Sequence, residues 1–229
     1  MKTLLAAAAL AALMAGSAAA APTFYGPTAY LSQADAPFHP GDFDVFHLED
    51  LEDNLVNTPG LSLSSHCIVG ATCFVGSGLT DSVGNGGNPN VGRSAFSSGL
   101  NVLFDASVLG AFPTFAGLVW TDGGNPIAVT AFDQDGVVLG TINGIHADGS
   151  ISGTTAEDRF YGVFNPGGVS RLFITSANGS SMETDHYQYG MRRLAVVPEP
   201  ATWTAMILGF AGTGAALRMR RRPVAANSA

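Results

Sequence analysis

Four acidic residues lie close together near the start of the chain: Glu49, Asp50, Glu52 and Asp53. They directly follow residues 42–48, where polar and apolar side chains alternate as they do in a half-buried strand. Carboxylate oxygens are the hard ligands that Ca²⁺ prefers, so this acidic cluster is a candidate cation site. The alternative is an acidic loop whose charges are solvated, and the residues alone leave both interpretations open.

The motifs of several common enzyme classes are missing from the sequence. It has no Gly-x-Ser-x-Gly elbow, no His-Glu-x-x-His, no phosphate-binding Walker loop and no dinucleotide fingerprint. Asp185 and His186 are adjacent, and neighbours on a regular strand point to opposite faces, so they do not form a base with its orienting acid. A hydrolase in which Glu157 meets Glu183 or Asp185 in space is an open alternative. We predict that the protein is not an enzyme.

The N-terminal residues have the layout of a secretory signal peptide. Lys2 supplies a positive charge, residues 4–14 are apolar, and residues 16–21 are small. Signal peptidase is expected to cleave after Ala20, because cleavage one residue later would place Pro22 next to the cut. The predicted signal peptide is therefore 1–20.

The C-terminal tail has three parts. The first is a pair of prolines around one glutamate, followed by a tryptophan: Pro198, Glu199, Pro200 and Trp203. The second is the uncharged run 201–217, which predicts a transmembrane helix roughly 25 Å long. The third is a basic stop, which favours the cytoplasmic side of a membrane: Arg218, Arg220, Arg221 and Arg222.

This order of features over 197–222 resembles the PEP-CTERM sorting signal of Gram-negative bacteria. One departure is Thr204, which separates Trp203 from Ala205. The resemblance implies that an exosortase, a membrane cysteine peptidase, recognises and processes the tail. It also implies an inner-membrane-anchored precursor whose product resides in the cell envelope or outside the cell. The alternative is an ordinary C-terminal membrane anchor.

The expected mature body, 21–197, is strongly acidic. Lys2 and the four terminal arginines lie outside it, which leaves five basic and 17 acidic residues and a net charge near −12. This balance argues against nucleic acid and anionic lipid as partners, and it is compatible with a divalent cation or a neutral glycan.

A disulfide is predicted between Cys67 and Cys73, the only cysteines in the chain. An isolated pair at this spacing in an exported protein is typical of a bridge across a tight loop. A metal site would need more soft ligands than the nearby His66 supplies.

Frequent turns and short apolar segments predict an all-β fold. The chain has 29 glycines and 12 prolines, and Asp135-Gly136 between two apolar segments is a strong hairpin signal. Residues 21–41 read as an extended lead-in, and 42–195 as an antiparallel β-sandwich domain. Besides 42–48 and 61–64, the expected strands are 100–105, 114–120, 126–132, 136–142, 159–164, 169–175 and 185–190.

A second resemblance covers roughly 40–190. Segments such as Ala116–Asp122 and Met182–Gly190 look like a domain common in bacterial exported PEP-CTERM proteins. The closing segment is similar to the last strand of carbohydrate-binding-module jelly rolls. That resemblance implies a jelly-roll-like sandwich with a structural Ca²⁺ held by Glu49 or Asp50 together with Asp185.

These observations predict an exported, non-enzymatic protein of the cell envelope or an exopolysaccharide matrix, sorted by an exosortase. The alternative function is a calcium-supported glycan-binding module. A sugar-stacking platform would require an exposed aromatic ring, although a large aromatic on an apolar strand is more often part of the core. The candidates for that platform are Trp120, Tyr161, Tyr187 and Tyr189.

Overall fold

The structure is a computed structural model that describes residues 20–84, 91–147, 149, 158–192 and 200–220. Residues 19–193 form one compact unit, and the C-terminal helix belongs to another. The strands in chain order are β1 (Thr23–Ala29), β2 (Phe43–Glu49), β3 (Leu61–Leu63), β4 (Cys67–Ile68), β5 (Ala95–Ser97), β6 (Gly99–Phe104), β7 (Phe115–Gly123), β8 (Ile127–Phe132), β9 (Val138–Gly144), β10 (Arg159–Phe164), β11 (Arg171–Ser176) and β12 (Met182–Arg192). The α-helices among the described residues are α1 (Ala106–Leu109) and α2 (Pro200–Arg220), and short 3-10 helices lie at Gln33–Asp35, Pro40–Asp42 and Ala177–Gly179.

The strands form two antiparallel sheets, as the sequence predicts for a β-sandwich. Sheet A has the order β1-β10-β7-β12-β5-β4, and β2 also pairs with β12. Sheet B has the order β3-β6-β11-β8-β9. Strands β2 and β12 therefore lie side by side, which places the acidic cluster next to the closing strand.

The main hydrophobic core contains inward-facing side chains of both sheets. On β11, Leu172 and Ile174 are buried while Arg171 and Phe173 are partly exposed, the period of two that a half-buried strand requires. Sheet A contributes Trp120, the largest of the fully buried side chains. The alternation of polar and apolar residues that predicted the strands therefore corresponds to the alternation of exposed and buried side chains.

A second apolar cluster lies on the opposite face of sheet A. Successive residues of β7 alternate between the two clusters, so Phe115 and Val119 point away from the main core. Tyr30 and Phe38 pack over this face, with the ring centroids of Phe38 and Phe115 4.1 Å apart. The segment expected as a lead-in, 21–41, is thus integrated into the body, and its strand β1 pairs with β10.

The Asp135-Gly136 hairpin forms as predicted. Strands β8 and β9 pair with each other, and Gly136 has φ 78°, a left-handed conformation that glycine adopts without a steric penalty. The Asp133 side chain accepts hydrogen bonds from the backbone amides of Asp135 at 2.9 Å and Val137 at 2.8 Å. These bonds fix the register of the two strands.

Helix α2 begins at Pro200, at the end of the predicted Pro-Glu-Pro motif. In the part of the chain that the structure describes, no helix is long and apolar enough to cross a membrane. The predicted transmembrane helix 201–217 is therefore not supported. Residues of low hydropathy interrupt its apolar run: Thr202, Thr204, Gly209, Gly212, Thr213 and Gly214.

Candidate functional site

Strand β12 changes its partner along one edge, and the acidic residues gather at that change. The part up to Thr184 pairs with β5, and the part from Tyr187 onward pairs with β2. Between them lie Asp185 and His186, where the register with β7 also shifts. His186 has φ 44°, a left-handed conformation that is uncommon outside glycine. We call this position the β12 junction.

Asp185 is fully buried at the β12 junction. Its Oδ2 accepts a hydrogen bond from the Val83 amide at 3.1 Å, and its Oδ1 accepts one from the His186 amide at 2.6 Å. Burial raises the pKa of this carboxyl well above its usual range, and the negative charges of Glu52 and Asp50 raise it further. The fold therefore brings Asp185 within electrostatic reach of the acidic cluster.

Glu183 is a second buried carboxylate on the same face of β12, two residues before Asp185. It accepts hydrogen bonds from the Asp81 amide at 2.9 Å and from the Ser94 hydroxyl. Burial raises its pKa to about 7. Together the two carboxylates hold segment 80–84 against β12.

Glu49, a predicted calcium ligand, is occupied by the loop that follows it. Its Oε1 accepts from the Leu51 amide at 3.0 Å. Its Oε2 accepts from the amides of Asn57 and Thr58, both at 3.0 Å, and from the Thr58 hydroxyl at 2.8 Å. Four hydrogen-bond donors stabilise this buried carboxylate without a metal. The contacts of Glu49 therefore hold the loop 50–58 in place.

Asp50 and Glu52 are less enclosed. The Asp50 side chain accepts from the Glu52 amide at 3.2 Å, and the Glu52 side chain accepts from the Arg93 amide at 3.0 Å. Burial raises the pKa of Glu52. Among the described residues, no group of three or more His, Cys, Asp or Glu side chains is arranged to hold a metal ion. Calcium binding at Glu49, Asp50 and Asp185 stays a prediction.

His186 belongs to a polar network that links the N-terminal segment to β12. Its Nδ1 lies 3.1 Å from the Tyr30 hydroxyl, which also donates to Gln33 at 3.1 Å and accepts from Gln188 at 2.8 Å. Burial lowers the pKa of His186 to about 4, so its imidazole is uncharged at neutral pH. These contacts give the ring a structural role.

The four aromatics proposed as a sugar platform are all part of the interior. Trp120, Tyr161, Tyr187 and Tyr189 are each fully buried. The Tyr189 hydroxyl donates to the Pro59 carbonyl at 2.6 Å, which gives its polar end a partner. A stacking surface for sugars must therefore come from other residues.

The predicted disulfide between Cys67 and Cys73 is confirmed. The sulfur atoms are 2.11 Å apart, and the Cα separation of 5.9 Å is usual for such a bond. Within the loop, the Thr72 hydroxyl accepts from the Ile68 amide at 2.8 Å.

The sorting motif and the signal peptide are described only in part. In α2, Trp203 is 54% exposed and Arg218 is also exposed. Other residues of these predictions, and one alternative catalytic acid, lie outside the described part of the chain: residues 1–19, Pro198, Glu199, Glu157, Arg221 and Arg222.

Sequence reasoning named Glu52 in the acidic cluster and Glu183 in an alternative catalytic pair, but it did not predict that Glu183 holds segment 80–84. A signal for Glu183 was present, because its spacing from Asp185 places both carboxylates on one face of a strand. The contact of that face with segment 80–84 joins residues 102 positions apart and has no signal in a single sequence.

Comparisons with known proteins give little similarity. No family model matches the chain, and no curated protein matches it. Among solved structures, it is similar to a glycoside hydrolase family 43 arabinoxylan arabinofuranohydrolase from Bacillus subtilis, in complex with cellotetraose. The identity is 23% and the TM-score 0.27, over 47% of this chain and 23% of that one. A similarity this low assigns neither a fold nor an activity.

Proposed function

We propose that this chain is an exported, non-enzymatic protein of the cell envelope or extracellular matrix, sorted by an exosortase through its C-terminal tail. The observation that carries the proposal is the tail itself. Helix α2 begins at Pro200, directly after Pro198 and Glu199, and it leads to the basic residues from Arg218 onward. Trp203 is exposed on its first turn. These are the features that resemble a PEP-CTERM signal.

The β12 junction supports a non-enzymatic role. Catalytic carboxylates act on a substrate from a cleft, with oxygen atoms free to accept or donate a proton. Here Glu49 and Asp185 use both of their carboxylate oxygens to accept hydrogen bonds from the protein. Their chemistry is that of residues that hold loops in place.

The sorting proposal is tested by the mass of the mature protein. The chain is expressed in a host with an exosortase and in the same host without that gene, after which intact protein from the envelope and the medium is weighed. We expect a product that lacks Arg218–Arg222 only where the exosortase is present. The double variant Pro198→Ala/Glu199→Ala should keep its full C terminus in both hosts, and Asp135→Asn should be processed normally. A full-length C terminus in the exosortase host would refute the proposal.

A calcium-supported glycan-binding module is the alternative function. It is favoured by the negative charges of Glu52 and Asp50, which raise the pKa of the buried Asp185 carboxyl beyond the effect of burial. Binding to a glycan is compatible with location in an exopolysaccharide matrix, so this alternative also fits an exported protein.

A further inference from the structure

The acidic residues of this protein are distributed unevenly between its two sheets. Of the 18 acidic residues in the chain, none lies on a strand of sheet B. Five lie on the strands of sheet A: Asp44, Glu49, Asp122, Glu183 and Asp185. The one charged residue on the strands of sheet B is Arg171. The strands of sheet B therefore carry one charged group, which is positive, on a body whose net charge is near −12. The acidic residues Asp105 and Asp133 directly follow the ends of β6 and β8.

The outward side of sheet B is accessible in the described body. We call it the sheet B face, and its central side chains are those that alternate with the core residues of β6, β8 and β11. On sheet A the equivalent outward side is covered by the N-terminal segment, through Tyr30 and Phe38. The central side chains of the sheet B face are Asn101, Leu103, Thr130, Phe132, Arg171 and Phe173.

Arg171 is positioned by uncharged neighbours. Its guanidinium carbon lies 3.7 Å from the centroid of the Phe132 ring, and its Nη1 is 3.4 Å from Asn101 Oδ1. The cation–π contact holds the guanidinium on the sheet, and within the described part of the chain its recorded partners are this ring and the Asn101 amide, with no carboxylate. An arginine held in this way has N–H groups available for a bidentate bond to a carboxylate.

The residues around Arg171 complete a surface for a sugar. Phe173 is two residues further along β11, roughly 7 Å away on the same face, and it lies between Asn101 and Thr130. An aromatic ring packs against the apolar C–H face of a sugar ring. The hydroxyls of Thr130 and Thr141 are 2.9 Å apart and exposed, so they offer donors and acceptors for sugar hydroxyls.

We infer that the sheet B face binds an acidic polysaccharide, with Arg171 recognising a uronate carboxylate and Phe173 stacking on a sugar ring. This inference rests on the proposed location in the envelope or matrix. The net negative charge of the body repels polyanions, but charges more than about 8 Å away are largely screened at physiological ionic strength. Recognition at this face therefore depends on the local charge of Arg171, which a neutral glycan would leave unused. The face carries too little positive charge to bind nucleic acid, because such binding requires contacts with many phosphates.

The test is affinity electrophoresis of the full-length protein in gels that contain polygalacturonate, with dextran as the neutral polymer. We expect retardation by polygalacturonate and none by dextran. Arg171→Gln should weaken the affinity tenfold or more, and Phe173→Ala should weaken it several-fold. Arg171→Lys should fall between wild type and Arg171→Gln, because it keeps the charge and loses the bidentate geometry. The control Arg159→Gln removes the same charge from sheet A and should bind within twofold of wild type.

Several outcomes would overturn the inference. They are no retardation of the wild type by polygalacturonate, equal retardation by dextran, or unchanged binding by both Arg171→Gln and Phe173→Ala at unchanged melting temperature. If light scattering shows a dimer that Leu103→Asp dissociates, a second copy covers the face and the inference also fails. If binding fails while the tail is still processed, only the inference falls. If binding succeeds while the tail stays intact, only the sorting proposal falls.

Discussion

The backbone amide of Val83 donates a 3.1 Å hydrogen bond to the buried carboxylate of Asp185, 102 positions further along the chain. Glu183 makes the matching bond to the Asp81 amide at 2.9 Å. Segment 80–84 therefore has its backbone fixed by two side chains of β12, although it forms no strand of its own. Loss of either carboxylate leaves a buried N–H group without an acceptor, which is costly.

Asp185→Ala should lower the free energy of unfolding by about 3 kcal/mol, because it removes the acceptor of two backbone amides and leaves a cavity. Chemical denaturation measures the loss in free energy of unfolding. Hydrogen exchange of the peptide that contains Val83 shows whether the loss arises in that segment. We expect faster exchange there than in wild type. Asp135→Ala, in the exposed hairpin, is the matched control and should change both quantities little. Unchanged exchange at Val83 would show that the bond to Asp185 does not hold the segment.

The raised pKa of Glu183 predicts how the free energy of unfolding depends on pH. Its pKa is raised from 4.5 to about 7 by burial. A raised carboxyl pKa means that the folded state binds the proton more tightly than the unfolded state does. Its contribution to stability is thus fully present below pH 4.5 and is lost as the pH rises to about 7. The total change is about 3 kcal/mol.

Glu183→Gln should remove that part of the pH dependence, since glutamine does not ionise. The measurement is urea denaturation from pH 4.5 to pH 8 with a chelator present, and Asp135→Asn should follow the wild-type curve. Parallel curves for wild type and Glu183→Gln would contradict the proposed titration. Asp185 has a raised pKa as well and remains in both proteins, so only the difference between the curves is diagnostic.

The sequence predicts the strands of this protein better than it predicts their contacts. The alternation around Leu172 and Ile174 and the Asp135-Gly136 turn are local patterns with a direct physical meaning, and they identify β11 and the β8–β9 hairpin. The acidic cluster is equally visible, but its meaning depends on which donors reach it. Glu49 is surrounded by amides of its own loop, and Leu51, one of the donors, has an unusual positive φ of 58°.

The N-terminal segment shows the same limit. Its prolines suggest an extended connection, and β1 is indeed extended, but nothing local indicates that it pairs with β10. Burial of Tyr30 and Phe38 depends on the apolar side of sheet A formed by Phe115 and Val119. The burial of this segment depends on residues more than 70 positions away, so the sequence of 30–38 alone does not predict it.

The disulfide gives a prediction that is simple to measure. Reduction of Cys67–Cys73, or the double variant Cys67→Ala/Cys73→Ala, should lower the free energy of unfolding by about 2 kcal/mol, because the loop that it closes is short. Thiol titration of the denatured, non-reduced exported protein should detect no free thiol. Detection of two thiols per chain would show that the bond does not form in the exported protein.

Calcium binding is the last prediction, and the geometry sharpens it. Asp50 and Glu52 both raise the pKa of Asp185 through their charge, whereas the oxygens of Glu49 are occupied by four donors. Each oxygen of Asp185 accepts a single hydrogen bond, which leaves it a lone pair for a cation. A cation at the β12 junction would therefore depend on Asp50 and Asp185 more than on Glu49. It would bind only the folded state, so Ca²⁺ at about 100 times its dissociation constant should add roughly 2.7 kcal/mol of stability.

Thermal melts with Ca²⁺ and with chelator should then differ by several degrees. The difference should grow from pH 5.5 to pH 8, because the cation must displace the proton that the raised pKa of Asp185 retains. Asp50→Asn and Asp185→Asn should each abolish the difference, and Asp135→Asn should preserve it. Equal melting temperatures with Ca²⁺ and with chelator at pH 8 would exclude a structural calcium. In that case protonation and backbone amides alone would account for how these buried carboxylates are tolerated.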